Sequence, residues 1–237
     1  MFAEHRTFDD ELKEMNKMIL EMGSLVENSI GKLIEALKKK DEDIAKEVIK
    51  GDDRINQLEV EIYEKGIALL ALRQPMAVDL RFITTGMRLA TDLERMGDLA
   101  VDVAQRILEV MNLPLPKPLI DIPKLAEVTQ KMVRGALDSF VKYDVNIARE
   151  VWKSDDVADN LRDLIQDELI EVMAKDPSVI PQSVMLMLIA RFFERICDHA
   201  TNIAEDVVYM VEARMLKHNV EELKKFIGRD WKEKKRI

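Results

Sequence analysis

The sequence predicts an all-α protein made of two tandem three-helix bundles related by a pseudo-twofold internal repeat. Three observations lead there. The 237 residues contain only 8 glycines, 7 prolines and 5% aromatics, too few turn residues and β-formers for an all-β sandwich. Apolar side chains recur in steps of three and four over long stretches, the helical period. The second half of the chain then repeats the first.

The elements follow in order. Residues 8–39 carry Leu12, Met15, Ile19, Met22, Val26, Ile30, Leu33 and Leu37, the stripe of an amphipathic helix. Lys38, Lys39 and Lys40 suit the negative end of its dipole. Asp41 or Asp43 can cap a second helix over 41–72. Pro75 interrupts that helix, because proline lacks an amide donor and disfavours helix before it. A third helix spans 76–111. Four of the seven prolines fall between Asn112 and Pro123, so residues 112–121 read as a semi-rigid connector. The pattern then restarts, with helices over 122–142 and 144–175, a break at Pro177 and Pro181, and a last helix to 218. The first bundle is thus 1–111 and the second 122–218. A basic tail, 219–237, follows; residues 217–237 hold eight Lys or Arg against four Asp or Glu. It reads either as a frayed end or as a segment touching an acidic partner or membrane surface.

The repeat can be checked by hand. Shifted by 103, Ala45, Glu47, Val48, Asp52, Asp53 and Leu58 fall on Ala148, Glu150, Val151, Asp155, Asp156 and Leu161. Shifted by 100, Ala90, Glu94, Arg95, Asp98, Ala100 and Ala104 fall on Ala190, Glu194, Arg195, Asp198, Ala200 and Ala204. The offset changes near the proline-bearing turn, where insertions are tolerated.

Several function classes are disfavoured. The longest apolar run, Val184 to Ala190, is far short of a membrane span. The start, MFAEHRTFDD, lacks a basic-then-apolar signal pattern, so a cytoplasmic protein is expected. The net charge of −9 argues against nonspecific nucleic-acid binding. Cys197, the single cysteine, can form neither an internal disulfide nor a thiolate cage, and is expected in the core. No glycine-rich phosphate loop, nucleophile elbow or Glu-x-x-His pair occurs.

The distinctive feature is acidic. The third helix carries Glu94-x-x-x-Asp98-x-x-x-Asp102, and its repeat mate Glu194-x-x-x-Asp198-x-x-x-Asn202. Residues four apart share a helix face about 6 Å apart along the axis. The second helix adds Asp52 and Asn56, and its mate Asp155 and Asp159. Facing stripes would give each half four or five oxygen ligands. Such ladders usually form a solvated face, here with Arg95 in reach of Asp98, Arg191 of Glu194 and Arg106 of Asp102. Recurrence of the spacing in both halves is what points to metal. Oxygen donors suit Mg²⁺, Mn²⁺ or Ca²⁺, and bridging carboxylates also hold Fe or Zn. His199 projects about 100° around the helix from Asp198 and reads as a polar neighbour rather than a ligand.

Ahead of the first ladder lies Arg73-Gln74-Pro75-Met76-Ala77-Val78-Asp79-Leu80-Arg81. Followed by Glu94-Arg95-x-Gly97-Asp98, and in the repeat by Glu194-Arg195-x-x-Asp198-His199-Ala200, it resembles the PhoU family of phosphate-uptake regulators over about residues 5–215. The resemblance implies a cytoplasmic, non-enzymatic negative regulator of the phosphate-starvation response. It implies two partners, the ATPase subunit of the phosphate ABC transporter and the sensor histidine kinase of the phosphate regulon. It also implies multinuclear metal clusters, with iron the first expectation and zinc, manganese or magnesium as alternatives, on Asp52, Asn56, Glu94, Asp98, Asp102, Asp155, Asp159, Glu194, Asp198 and Asn202. Asn56 and Asn202 depart from the charged pattern, so the two clusters are expected to differ. The second half lacks a copy of Asp79-Leu80-Arg81, which favours the first half for partner contact. A homodimer is a further expectation. The competing readings are a metal-dependent bundle oxidase or hydrolase, and a purely structural adaptor.

Overall fold

A computed structural model describes residues 2–113, 121–216 and 226, with side chains from residue 8 onward. The described residues form α1 (Phe2–Lys39), α2 (Glu42–Arg73), α3 (Ala77–Val110), α4 (Asp121–Lys142), α5 (Val145–Lys175), a 3₁₀ turn (Pro177–Val179) and α6 (Ile180–Glu212). α1, α2 and α3 make one three-helix bundle, and α4, α5 and α6 the other. The bundles meet where α3 packs on α6 and, less extensively, where α1 packs on α4.

The predicted stripe of α1 forms the core: Met15, Ile19, Met22, Val26, Ile30 and Leu33 are fully buried, with Leu12 and Leu37 packed at its edge. Met18, Met185 and Met187 pack partly buried against the same core, the gap-filling role their spacing suggests.

The duplication extends to the turns. Lys40 and Tyr143, at equivalent places, both adopt the left-handed conformation, with φ of 55° and 52°. The next residue caps the following helix in each half. Asp41 Oδ1 accepts from the amides of Asp43 (2.9 Å) and Ile44 (3.4 Å), and Asp144 Oδ1 from Asn146 (2.7 Å) and Ile147 (3.4 Å). Asp41, not Asp43, is therefore the cap of α2. The other turns differ. Gln74 ends α2 in a left-handed conformation before Pro75, whereas Asp176 caps the 3₁₀ turn by accepting from the Ser178 amide at 3.0 Å.

Two boundaries move. α1 begins at Phe2, ahead of residue 8. α6 ends at Glu212 rather than 218, because Ala213 turns left-handed (φ 54°) while its amide still bonds to Tyr209 O. Connector residues 114–120 and tail residues other than Phe226 lie outside the described residues. Phe226 itself is buried, with the Arg149 guanidinium 4.9 Å above its ring. No helix of the described residues is long and apolar enough to cross a membrane.

α3 and α6 run antiparallel. Arg81 Nε donates to Met210 O (2.9 Å), Arg88 pairs with Asp206 (3.3 Å), and His199 Nδ1 meets Asp92 Oδ1 (2.8 Å). Further along, Arg106 Nη1 approaches Met185 Sδ at 3.9 Å. This arrangement turns the α2–α3 groove of one half and the α5–α6 groove of the other into related seams.

Candidate functional site: two acidic seams

The first seam lies where α3 faces α2. Gly97 lets the helices approach closely, since a Cβ there would fall 2.9 Å from Asp52 Oδ1 and 3.2 Å from Ile55. Asp52 Oδ2 accepts from Asn56 Nδ2 at 2.9 Å. Asp52 Oδ1 is buried with no hydrogen-bond partner among the described residues. Burial raises Asp52 above the usual carboxylate range against the pull of the Asn56 hydrogen bond, and the negative charges of Asp98 and Asp53 add to the rise. Glu94 is raised by burial first, then by Asp98, Glu59 and Asp52, with Arg95 opposing. Asp52, Glu94 and Asp98 are thus brought together as expected. Glu59 joins them, its Oε1 accepting from Thr91 Oγ1 at 3.1 Å. Sequence reasoning missed it, although Asp52 and Glu59 are two turns apart and share a face.

The second seam lies between α5 and α6. Burial raises Glu194, Asp198 adds to the rise, and Arg162 opposes it, with smaller effects from Asp159 and Arg191. Asp155 is buried at 7% exposure. It acts with Asp198 and Glu194 on the Cys197 thiol, which burial above all pushes far above its ordinary value. Cys197 donates to Thr129 Oγ1 at 3.3 Å and belongs to the core.

The third rung of the second ladder leaves its seam. Asn202 turns to the bundle interface, where its Nδ2 lies 3.5 Å from Asp92 Oδ1 on α3. The expected arginine pairs also differ. Arg106 forks onto Glu109 at 2.5 and 2.6 Å instead of reaching Asp102, because Glu109 lies in its own next turn. Arg95 and Arg191 act only at longer range, on Glu94 and Glu194. His199, expected as a polar neighbour, helps to lock α6 to α3 through Asp92.

The proline motif is largely occupied within the chain. Arg73 forms a two-point pair with Glu11 at 2.9 and 3.0 Å, and Arg81 ties α3 to the end of α6. Leu72, just before Arg73, is 78% exposed, and Met76, between the two arginines, is 79% exposed.

The PhoU domain model matches residues 19–107 and again 122–207, one copy on each bundle. The chain belongs to the PhoU family. Among its PhoU relatives, the Aquifex aeolicus phosphate-specific transport system accessory protein PhoU homolog is 39% identical over 208 residues, covering 88% of this chain and 94% of the relative. The Clostridium acetobutylicum homolog is 35% identical over 215 residues, covering 90% and 98%. The crystal structure of PhoU from Pseudomonas aeruginosa superposes with a TM-score of 0.84 at 36% identity, covering 87% of this chain and all of that one. The phosphate transport system regulatory protein PhoU from Streptococcus pneumoniae gives 0.82 at 30% identity, covering 89% and 99%. The two-bundle PhoU architecture expected from the internal repeat is therefore the observed one.

Proposed function

We propose that this chain is a metal-carrying regulator that restrains phosphate uptake and the phosphate-starvation response when phosphate is plentiful. It works in the cytoplasm with the ATPase subunit of a phosphate ABC transporter and with its sensor histidine kinase. The observation that carries this reading is similarity along both halves to proteins known as phosphate-specific transport system accessory proteins.

The seams support the metal part. Their donors are carboxylate and amide oxygens, which suit hard cations and bridged iron or zinc, with manganese or magnesium as alternatives. Asp52 Oδ1 is buried without a hydrogen-bond partner among the described residues, and Gly97 places no side chain against it. A cation would offset the burial and the like-charge repulsion that raise Asp52 and Glu94. Asp52, Glu59, Glu94 and Asp98 would hold it, and it would present positive charge on an otherwise acidic stripe. Among the described residues no three acidic, histidine or cysteine side chains already converge on one ion position, so binding would draw these carboxylates inward.

The test is replacement of the resident PhoU-family protein in a bacterium by this chain, with a phosphate-starvation reporter and phosphate uptake read at high phosphate. Restored repression is expected. Persistent reporter expression would overturn the regulatory reading. The doubly substituted E94Q/D98N chain should lose metal, measured on untagged protein by mass spectrometry. If it still represses fully, metal is no part of the mechanism.

A further inference from the structure

The two seams occupy equivalent places in the duplicated fold but differ in charge. Along α2 the first presents Asp52, Asn56 and Glu59, and at the same places along α5 the second presents Asp155, Asp159 and Arg162. α3 contributes Glu94 and Asp98, and α6 contributes Glu194 and Asp198. By carboxylate number alone the seams are matched, because Asp159 compensates for the loss of Glu59. The guanidinium breaks the tie.

Arg162 reaches from α5 across the groove. Its Nη2 is 3.9 Å from Glu194 Oε1 and 4.0 Å from Asp159 Oδ1, and its Nε is 3.3 Å from Asp163 Oδ1. The side chain is 24% exposed and Glu194 16%, so solvent screens the contact only in part. In the first half Glu59 stands where Arg162 stands in the second. Among the described residues no cation comes within 4.0 Å of Asp52, Glu59 or Glu94, and Arg95 acts on Glu94 only at longer range.

We propose that Arg162 is a built-in counter-cation of the second seam, so that a hard divalent cation binds the first seam more tightly than the second. This rests on the reading of the seams as cation sites. Arginine stays protonated at any accessible pH, so its charge cannot be titrated away to admit an ion. An ion entering the second seam meets a like charge on two of its prospective ligands. One entering the first meets carboxylates and an amide, with no described cation paired to Asp52, Glu59 or Glu94. The second seam is thereby partly neutralised from within, while the first depends on an ion for the same relief.

The probe is Mn²⁺, titrated into the untagged full chain with free ion followed by electron paramagnetic resonance. The unsubstituted protein should show one tight class of site, lost in E94Q, and a second class weaker by at least about tenfold, the scale expected when one unit charge beside a divalent ion is reversed. R162E, which installs the charge found at Glu59, should bring the second class to within about threefold of the first. R162Q should fall between, and it serves if R162E fails to fold by circular dichroism. The reciprocal E59R should weaken the tight class. Two equal classes in the unsubstituted protein, or a second class unmoved by both Arg162 substitutions, would overturn this inference and leave the cation sites standing. No Mn²⁺ binding in any variant would overturn the metal reading, and this inference with it.

Discussion

Glu94 is a carboxylate at odds with its surroundings. Burial and the charges of Asp98, Glu59 and Asp52 all favour its neutral form. Its folded value lies above its unfolded one, so it contributes most to stability below about pH 4, where it is protonated in both states' terms, and that contribution is lost as pH rises through the raised value. In metal-free protein at pH 7, E94Q should therefore be the more stable chain, by roughly 0.5 kcal/mol for each like-charge contact relieved. The advantage should shrink as pH falls from 7 towards 4.5, measured as the difference in thermal midpoint. An E94Q midpoint equal to or below that of the parent at pH 7 would show that the seam is not strained. The four-residue acidic spacing was legible in the sequence, and it led to Glu94, Asp98, Glu194 and Asp198. The third rung of the second ladder lies elsewhere, because eight residues carry a side chain about 80° around a helix. Asn202 therefore faces Asp92 on the other bundle instead of the seam.

At the scale of elements, the α1–α2 and α4–α5 turns are copies down to individual hydrogen bonds. Besides the capping aspartates, Asp41 N donates to Ala36 O (3.2 Å) and Asp144 N to Ser139 O (3.0 Å). Removing either cap leaves amides of the first helical turn without their acceptor. D41A and D144A should each cost about 1 kcal/mol in urea unfolding, and their costs should match closely. A large cost for one and none for the other would mean that the turns have diverged in energy despite their shared geometry. Sequence alone left Asp41 and Asp43 as alternatives, since either type can cap. The left-handed Lys40 decides it by aiming the Asp41 side chain back at the helix amides. The end of α6 was likewise unreadable from composition. Apolar and charged residues continue past Glu212, and the break comes from the backbone of Ala213.

Across the whole molecule, the duplicated halves share one continuous core. Buried residues of α3, including Leu93, Met96 and Ala100, belong to the same cluster as Phe193, Ile196 and Ala200 of α6. The Asp92–His199 pair, with side chains 14% and 13% exposed, adds a polar contact across that junction. Despite its repeat, the chain should unfold in one cooperative transition, with coincident midpoints by far-ultraviolet circular dichroism and by the fluorescence of its two tryptophans. H199A should lower that midpoint without splitting it. Two resolved transitions in the unsubstituted protein would show that the bundles are independent.

The sequence by itself determined the helices, the stripes that make their cores, the duplication and the family. Those are properties of spacing along one chain, set by the 3.6-residue period and by proline's missing amide. Tertiary structure alone decided which ladder residues meet. That choice depends on how α2 and α3, and α5 and α6, are rotated against each other: Gly97 brings Asp52 against α3, and Arg162 reaches across to Glu194. The charge difference between the seams could be counted in the sequence only after packing had shown that Glu59 and Arg162 belong to them.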